Sequence, residues 1–146
     1  MNIAQVLIPK SNVATIYDDA TLRQGMEKLR FHKYSAIPVV TRDNHYVGTV
    51  SEGDFLWYFF PTGEEPLQQF SLRTAEEHFI RDILVPGRNP PLRIDSPIHE
   101  VIAQIMRQNF IPVVDDRDTF CGIVTRRSII RYIYFKSRNK TNESER

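Results

Sequence analysis

A hydroxyl group followed by two guanidinium groups, Thr125, Arg126 and Arg127, is the clearest candidate for binding chemistry in the sequence. These residues come directly after the apolar stretch 120–124, where a strand is expected to pass into a helix. The Thr125 hydroxyl and the first amides of such a helix can face a phosphate, because these amides have no partner within the helix. Arginine adds a planar fork of donors that suits bidentate contact with phosphate. The alternative for adjacent arginines is a solvated helix face, because consecutive helical positions point in different directions.

A carboxylate stands at the matching place after another predicted strand. The predicted strand 46–50 is followed by Ser51, and Asp54 comes in the opening turn of the next predicted helix. A carboxylate in this position can accept hydrogen bonds from the hydroxyl groups of a ligand. It can equally balance the partial positive charge of the helix start. The residue types leave both roles open.

The sequence shows no pattern typical of catalysis or metal binding. Its four histidines, His32, His45, His78 and His99, have no metal-ligand spacing with cysteine or carboxylates. It has no Gly-rich phosphate loop and no Ser-His-Asp arrangement, and its one cysteine, Cys121, lies in an apolar stretch. We therefore predict no catalytic residue, no metal site and no resident cofactor.

The two candidate strand ends belong to an internal repeat. Ile-Pro-Val-Val at 37–40 is followed after seven residues by Gly-Thr-Val-Ser at 48–51. Ile-Pro-Val-Val at 111–114 is followed, again after seven residues, by Gly-Ile-Val-Thr at 122–125, and the offset is 74 residues in both blocks. Neither copy is large enough to bury a core alone, so the two are expected to pack together.

Each copy is predicted to form a β-α-β-β-α unit. A short strand leads to an aspartate at a helix N-cap, Asp19 or Asp95, and a helix of about three turns follows. Two strands joined by a polar turn come next, and a closing helix begins at Glu52 or Arg126. The strands are predicted at 13–16, 37–40 and 46–50 in the first copy and at 92–94, 111–114 and 120–124 in the second. The fold class is therefore α+β.

Composition divides the chain into four segments. The first repeat is placed at 1–62 and the second at 81–136. Between them, a stretch that contains Pro61, Gly63 and Pro66 interrupts the first closing helix, and 63–80 is predicted to be a polar, partly helical connector. The tail 137–146 has no apolar residue and is predicted to be disordered.

With this arrangement the sequence resembles a pair of CBS motifs, often called a Bateman module. The resemblance rests on the two Ile-Pro-Val-Val strands and on 48–54, which matches the family pattern G-h-h-[S/T]-x-x-D (h, apolar) in full. The second copy has Ser128 where the family usually has aspartate. The resemblance implies two motifs packed about a pseudo-twofold axis. It also implies two clefts that bind adenosine-containing ligands such as AMP, ATP, S-adenosylmethionine or cyclic di-AMP.

The first cleft implied by the resemblance, cleft one, joins an adenine wall from the first repeat to phosphate contacts from the second. Small Ser35 and Ala36 leave room for a flat base, and Ile37 and Pro38 give it an apolar wall. The expected contacts are Val13, Ala14, Tyr34, Ser35, Ala36, Ile37, Pro38, Thr125, Arg126, Arg127 and Ser128. Several of these residues also resemble stand-alone CBS pairs that sense cyclic di-AMP, although Asn12 stands where those proteins tend to have lysine.

Cleft two, also implied by the resemblance, joins an adenine wall from the second repeat to ribose and phosphate contacts from the first. Its expected contacts are Leu92, Asn109, Phe110, Ile111, Pro112, Ser51 and Asp54. The resemblance assigns the Asp54 carboxylate to both ribose hydroxyls. Phe110 replaces a small residue and can fill this cleft, and Glu52 would repel a phosphate.

These features predict a regulatory module that binds an adenine nucleotide (AMP, ADP, ATP or cyclic di-AMP) and signals to an unknown regulated protein. The alternative is a ligand-free scaffold for dimerisation or interaction. A homodimer is predicted from the consecutive aromatic residues at 57–60 and from the helix 129–135. The net charge of +1 gives no general reason to bind nucleic acid or a membrane, and the N-terminus does not resemble a signal peptide, so we expect a cytoplasmic protein.

Overall fold

The computed structural model describes residues 1–60 and 71–144. In chain order the elements are α1 (Ile3–Val6), β1 (Ile8–Pro9), β2 (Ile16–Tyr17), α2 (Leu22–His32), β3 (Ala36–Val40), β4 (Tyr46–Ser51), α3 (Glu52–Phe59), α4 (Leu72–Glu77), β5 (Leu92–Arg93), α5 (Ile98–Ile105), β6 (Phe110–Val114), β7 (Phe120–Thr125) and α6 (Arg126–Ser144). Short 3₁₀ turns follow β1 at Lys10–Asn12 and α4 at Ile80–Asp82. The mixture of helix and sheet, with the β-α-β-β-α order repeated, confirms the predicted fold class.

The chain forms two compact units. The first-repeat unit is Ala14–Pro90, and the second-repeat unit combines Met1–Val13 with Pro91–Arg146. The sequence repeats, predicted at 1–62 and 81–136, therefore differ from the compact units, because the first thirteen residues pack with the second repeat.

The first-repeat unit is a three-stranded sheet in the order β2-β3-β4, with β2 parallel to β3 and β3 antiparallel to β4. Helices α2 and α3 pack on the sheet because their apolar residues recur at helical spacing. The core includes Leu22, Leu29, Ile37, Val50 and Phe55, each at most 5% exposed.

The second-repeat unit is a four-stranded sheet in the order β1-β7-β6-β5. Strand β1 adds antiparallel to β7, with Ile8 opposite Ile123 and Pro9 opposite Gly122. Gly122 allows this close approach, because a Cβ atom at position 122 would collide with the carbonyl oxygen of Ile8. The glycine also has φ of +152°, which other residues rarely adopt. The β1 segment is thereby fixed beside β7, the strand that ends at Thr125.

The strand pairs β3–β4 and β6–β7 share the same irregularities. In the turn between the two strands of each pair, one residue has a left-handed backbone conformation, Asn44 in the first copy and Asp118 in the second. Each pair shifts register at its fourth strand residue, between Val39 and Val40 or between Val113 and Val114. The repeat found in the sequence is therefore also a repeat in backbone conformation.

The predicted aspartate N-caps were wrong. Helix α2 is capped by Thr21, whose side chain accepts a hydrogen bond from the Gln24 amide while Gln24 reaches back to the Thr21 amide. Asp19 instead pairs with Arg42, with 3.0 Å between carboxylate oxygen and Nε. The N-cap of α5 is Pro97, and Asp95 lies before it. In both copies the helix starts two residues later than predicted.

The segments outside the repeats also differ from expectation. Helix α6 continues through Ser144, so the prediction of a disordered tail was wrong for 137–144. Hydroxyl–carbonyl hydrogen bonds such as Thr141 Oγ1 to the Ser137 oxygen, 3.0 Å, accompany this extension. Of the connector 63–80, residues 63–70 lie outside the described part of the chain, and α4 occupies much of the remainder. None of the helices in the described ranges is both long and apolar enough to cross a membrane.

Candidate functional site

The strand-to-helix junction of the second-repeat unit is held by a reciprocal hydrogen-bond pair. The Ser128 amide donates to Thr125 Oγ1 and the Thr125 amide donates to Ser128 Oγ, both at 3.0 Å. The Ser128 hydroxyl donates in turn to the Thr125 carbonyl oxygen at 2.8 Å. The Ser128 proton that could have bound a ribose oxygen is thus donated to the backbone. This junction fixes where α6 begins and therefore where its arginines point.

The two consecutive arginines have different surroundings. Arg126 Nε donates to the Ile105 carbonyl oxygen at 3.1 Å, so this side chain caps the C-terminal end of α5. Arg127 instead lines a groove that α6 forms with residues 5–8. Arg126 is not among the residues that line this groove, so the two guanidinium groups do not share it, as the sequence had suggested for a shared phosphate.

The groove, which we call the anion groove, has a volume of about 560 Å³. It lies within the second-repeat unit, between the first half of α6 and the segment around α1 and β1. Its lining consists of Gln5, Val6, Leu7, Ile8, Thr125, Arg127, Ser128, Arg131, Tyr132 and Phe135. The volume is within the range of about 300–1,000 Å³ that is usual for small-molecule sites.

Positive charge dominates the anion groove. Arg127 and Arg131 are one helical turn apart and both line it, whereas no carboxylate does among the described residues. Neither guanidinium forms an ion pair with another residue of the ranges 1–60 and 71–144. The N-terminal end of α6, with its partial positive charge, opens into the same groove at Thr125. The groove is therefore suited to an anion that also carries an apolar part, which could contact Val6, Ile8 or Phe135 and their neighbours.

Sequence reasoning found Thr125, Arg127 and Ser128 but missed the rest of this groove. Arg131 could have been found from its four-residue spacing to Arg127. The opposite wall could not, because it depends on the pairing of β1 with β7 across most of the chain. The Tyr132 hydroxyl donates to Gln5 Oε1 at 3.3 Å and joins that wall to α6.

The residues predicted to contact the adenine base lie mainly in the first-repeat unit. Tyr34 and Ser35 are exposed, Ala36 is half-buried at the start of β3, and Ile37 and Pro38 are buried. The Tyr34 ring stacks on His32 with 5.3 Å between ring centroids. Val13 and Ala14 are half-buried, and the division of the chain into the two units falls between them. Because Ile37 belongs to the core of its own unit, its burial has a sufficient structural reason.

Asp54, the carboxylate of the first-repeat motif, has two partners in its own unit. It accepts a hydrogen bond from the Ser51 amide at 2.7 Å, as Ser128 does from Thr125 in the other copy. The same Oδ2 oxygen also receives the Nη2 donor of Arg88 in an ion pair. The Asp54 side chain is only 6% exposed. Arg88 was not among the residues singled out from the sequence.

The protonation of Asp54 follows from these contacts. Burial alone raises the pKa of the carboxyl group, but the hydrogen bonds from Arg88 and the Ser51 amide outweigh it and hold the pKa below its usual value. The pKa of Arg88 is raised by the same pair. Nearby, burial raises the pKa of Tyr46 to about 12, so its hydroxyl stays protonated. The pair is therefore fully charged at neutral pH.

The remaining residues expected in cleft two lie in the second-repeat unit. Ile111 and Pro112 are buried, Asn109 is exposed, and Leu92 and Phe110 are half-buried. Phe110 pairs directly with Thr125 in the β6–β7 register. The assignment of residues to both clefts stays a prediction.

Comparison with known proteins gives the family. The model of the CBS domain matches residues 3–60 and 80–134, which is most of the chain. "Cyclic di-AMP receptor B" of Bacillus subtilis is 25% identical over 140 residues, covering 94% of this chain and 91% of that protein.

Solved structures agree with this match. A crystal structure of CbpB in complex with c-di-AMP has a TM-score of 0.85 and 26% identity, covering 98% of this chain and 91% of the other. CbpB from Streptococcus agalactiae has a TM-score of 0.81 and 27% identity, covering 95% and 84%. The sequence repeat, the two β-α-β-β-α units and these similarities lead to one conclusion: the chain belongs to the CBS domain family.

Proposed function

We propose that this CBS pair is a regulatory module that binds an adenine nucleotide and signals its presence to a partner protein. The observation that carries the proposal is the anion groove, where Arg127 and Arg131 face the same space without a carboxylate among its lining residues. A phosphate in this groove would contact one or both guanidinium forks, the Thr125 hydroxyl and the positive end of α6.

The similar proteins support the choice of an adenine ligand. One relative is named for cyclic di-AMP reception, and a structure that is 26% identical was solved with c-di-AMP bound. We propose that the base lies against residues 34–38 of the first-repeat unit, as the family resemblance implies. Cyclic di-AMP, AMP, ADP and ATP all remain candidate ligands.

The proposed role is regulatory rather than catalytic. A ligand that contacts both repeats would stabilise one arrangement of them over others, and a partner that prefers this arrangement would respond to the ligand. The coupling needs no reaction, since differential affinity for two arrangements is sufficient.

Thermal shift against adenosine, AMP, ADP, ATP and cyclic di-AMP tests this proposal, because a ligand that binds only the folded state must raise its stability. We expect at least one nucleotide to raise the melting temperature, and Arg127→Ala to reduce that shift. Arg138→Ala is the matched control, since Arg138 is on the same helix but outside the groove lining and contacts Tyr134. If no adenine ligand shifts the melting temperature at millimolar concentration, the proposal fails.

A ligand-free scaffold is the second candidate, favoured by exposed apolar side chains on the helices. Leu56 and Trp57 are 58% and 67% exposed on α3, and Ile130 and Ile133 are 66% and 51% exposed on α6. We propose that such faces pair in a homodimer, with or without nucleotide. Light scattering at tens of micromolar tests this, and a single monomeric mass would contradict it.

A further inference from the structure

The first-repeat motif carries a guanidinium group where a ligand hydroxyl is expected to bind. Arg88 donates through Nη2 to the Asp54 carboxylate and, at 3.3 Å, to the Thr49 carbonyl oxygen. Its side chain is 39% exposed, whereas that of Asp54 is 6% exposed. Arg88 therefore lies between the carboxylate and solvent.

One of the two carboxylate oxygens of Asp54 is committed in this arrangement, and the side chain as a whole is buried. Its Oδ2 atom accepts from both the Ser51 amide and Arg88. A carboxylate that is to accept both hydroxyls of a ribose must present its two oxygens outward, with room for a sugar beside them. Low exposure and a bound guanidinium are both incompatible with that geometry. A ribose could reach Asp54 only if Arg88 moved away.

The loop that carries Arg88 is anchored to its own unit. Gly87 and Asn89 on either side have φ of +75° and +53°, so the loop turns sharply at this point. The Asn89 carbonyl oxygen accepts a 2.8 Å hydrogen bond from the Tyr46 hydroxyl, which ties the loop to β4. The ion pair thus belongs to an anchored loop with contacts on both sides, rather than to a freely rotating surface side chain.

We infer that Arg88 is a specificity-determining residue: it occupies the hydroxyl-binding carboxylate of the first repeat, so that the chain binds one nucleotide, in the anion groove, and not two. The second repeat has Ser128 instead of a carboxylate, and the Ser128 hydroxyl donates to the Thr125 backbone. Neither motif then presents a carboxylate to a ribose. Recognition is shifted from the sugar to the phosphates. This inference rests on the proposed function for nucleotide binding in the anion groove. Whether Arg88 blocks Asp54 can be tested independently of that binding.

Removal of Arg88 should create a second binding site. Isothermal titration calorimetry with adenosine and AMP on Arg88→Ala is expected to show one additional ligand per chain compared with the wild type. Because the new site would read both ribose hydroxyls, 2′-deoxyadenosine should bind there about tenfold more weakly than adenosine. Adding Asp54→Asn to Arg88→Ala should abolish the new site.

Matched variants separate this effect from loss of structure. Arg93→Ala removes another arginine that pairs with a carboxylate, Asp95 at 3.4 Å, and is expected to leave the stoichiometry unchanged. Arg88→Met keeps much of the side-chain volume and serves if Arg88→Ala does not fold. Circular dichroism on each variant establishes folding before titration.

The outcomes are distinct for the two proposals. If a folded Arg88→Ala or Arg88→Met chain binds the same number of ligands as the wild type, the inference about Arg88 is wrong. Unfolding of both variants would likewise assign Arg88 to folding rather than to ligand choice. If the wild type binds no nucleotide but the Arg88 variants bind adenosine through Asp54, Arg88 does block Asp54, whereas the proposed function and the single site in the anion groove are wrong.

Discussion

Replacing Arg131 with alanine should weaken binding of phosphorylated adenine ligands without affecting adenosine. Arg131 and Arg127 lie one turn apart on α6 and both line the anion groove, so their Cβ atoms are about 5–6 Å apart. Two phosphate oxygens of one ligand can therefore be reached by both groups. The change removes one of two cations from the groove and leaves the strand-to-helix junction at Thr125 intact.

The size of the effect follows from the exposure of the arginines. A hydrogen bond to a charged group contributes about 1.5–3 kcal/mol, and the upper part of that range applies to desolvated pairs. Both arginines are exposed on α6, so the lower end is appropriate. We expect Arg131→Ala to cost about 1.5 kcal/mol, or roughly tenfold in affinity. The loss should shrink at high salt, because the screening length falls from about 8 Å at 0.15 M to about 3 Å at 1 M.

Calorimetry with the tightest ligand of the panel, and with adenosine as the uncharged reference, measures this directly. The full cycle of Arg127→Ala, Arg131→Ala and the double variant should show non-additive losses, since both groups contact one ligand. Arg138→Ala on the same helix should bind as the wild type does. An equal loss for adenosine and the nucleotide, or an equal loss in Arg138→Ala, would refute the assignment of Arg131 to phosphate binding.

Three further predictions concern stability and assembly. The pKa of Asp54 is lowered in the folded state, so the charged carboxylate stabilises the fold above its unfolded pKa of about 3.9, and this contribution is lost as the pH falls through the lower folded value. The difference in melting temperature between wild type and Asp54→Asn should therefore shrink below about pH 4. A difference that stays constant with pH would contradict this prediction. Gly122→Ala should detach β1 and lower the melting temperature by several degrees. Gly53→Ala is the control and should not, because a Cβ atom at position 53 would lie 3.7 Å from its nearest neighbour, Ser51 Oγ. Equal melting temperatures for the two variants would contradict the packing described for β1. If α3 forms the dimer face, Leu56→Glu should give a monomer by light scattering while leaving the melting profile cooperative, and an unchanged dimer mass would exclude Leu56 and Trp57 from the interface.

Much of the fold could be predicted because it is encoded locally and twice. The alternation and turn residues of 37–51 and 111–125 are sufficient to define β3, β4, β6 and β7 within one residue at either end. Glu52 and Arg126 were correctly predicted as the starts of the closing helices. A second copy of the same pattern makes each assignment a check on the other.

The errors came from choices that depend on distant partners. Asp19 has the chemistry of an N-cap, but its carboxylate pairs with the guanidinium of Arg42, which lies in the turn between β3 and β4. Thr21 caps helix α2 instead. The polar tail was read as disordered because polarity alone does not report helix continuation. Arg88 lies in a loop with no recognisable motif, and its role depends on a carboxylate 34 positions earlier.

The pairing of β1 with β7 has a consequence for how the chain reaches its folded state. Ile8 is opposite Ile123, so β1 has no partner until the ribosome has added more than a hundred further residues. At about 5–20 residues per second, roughly 6–23 seconds separate the synthesis of the two strands. The first-repeat unit, whose contacts lie within Ala14–Pro90, can form during that interval. One wall of the anion groove is formed by this early segment, so the groove is completed last, and nascent chains that stop short of residue 122 cannot contain it.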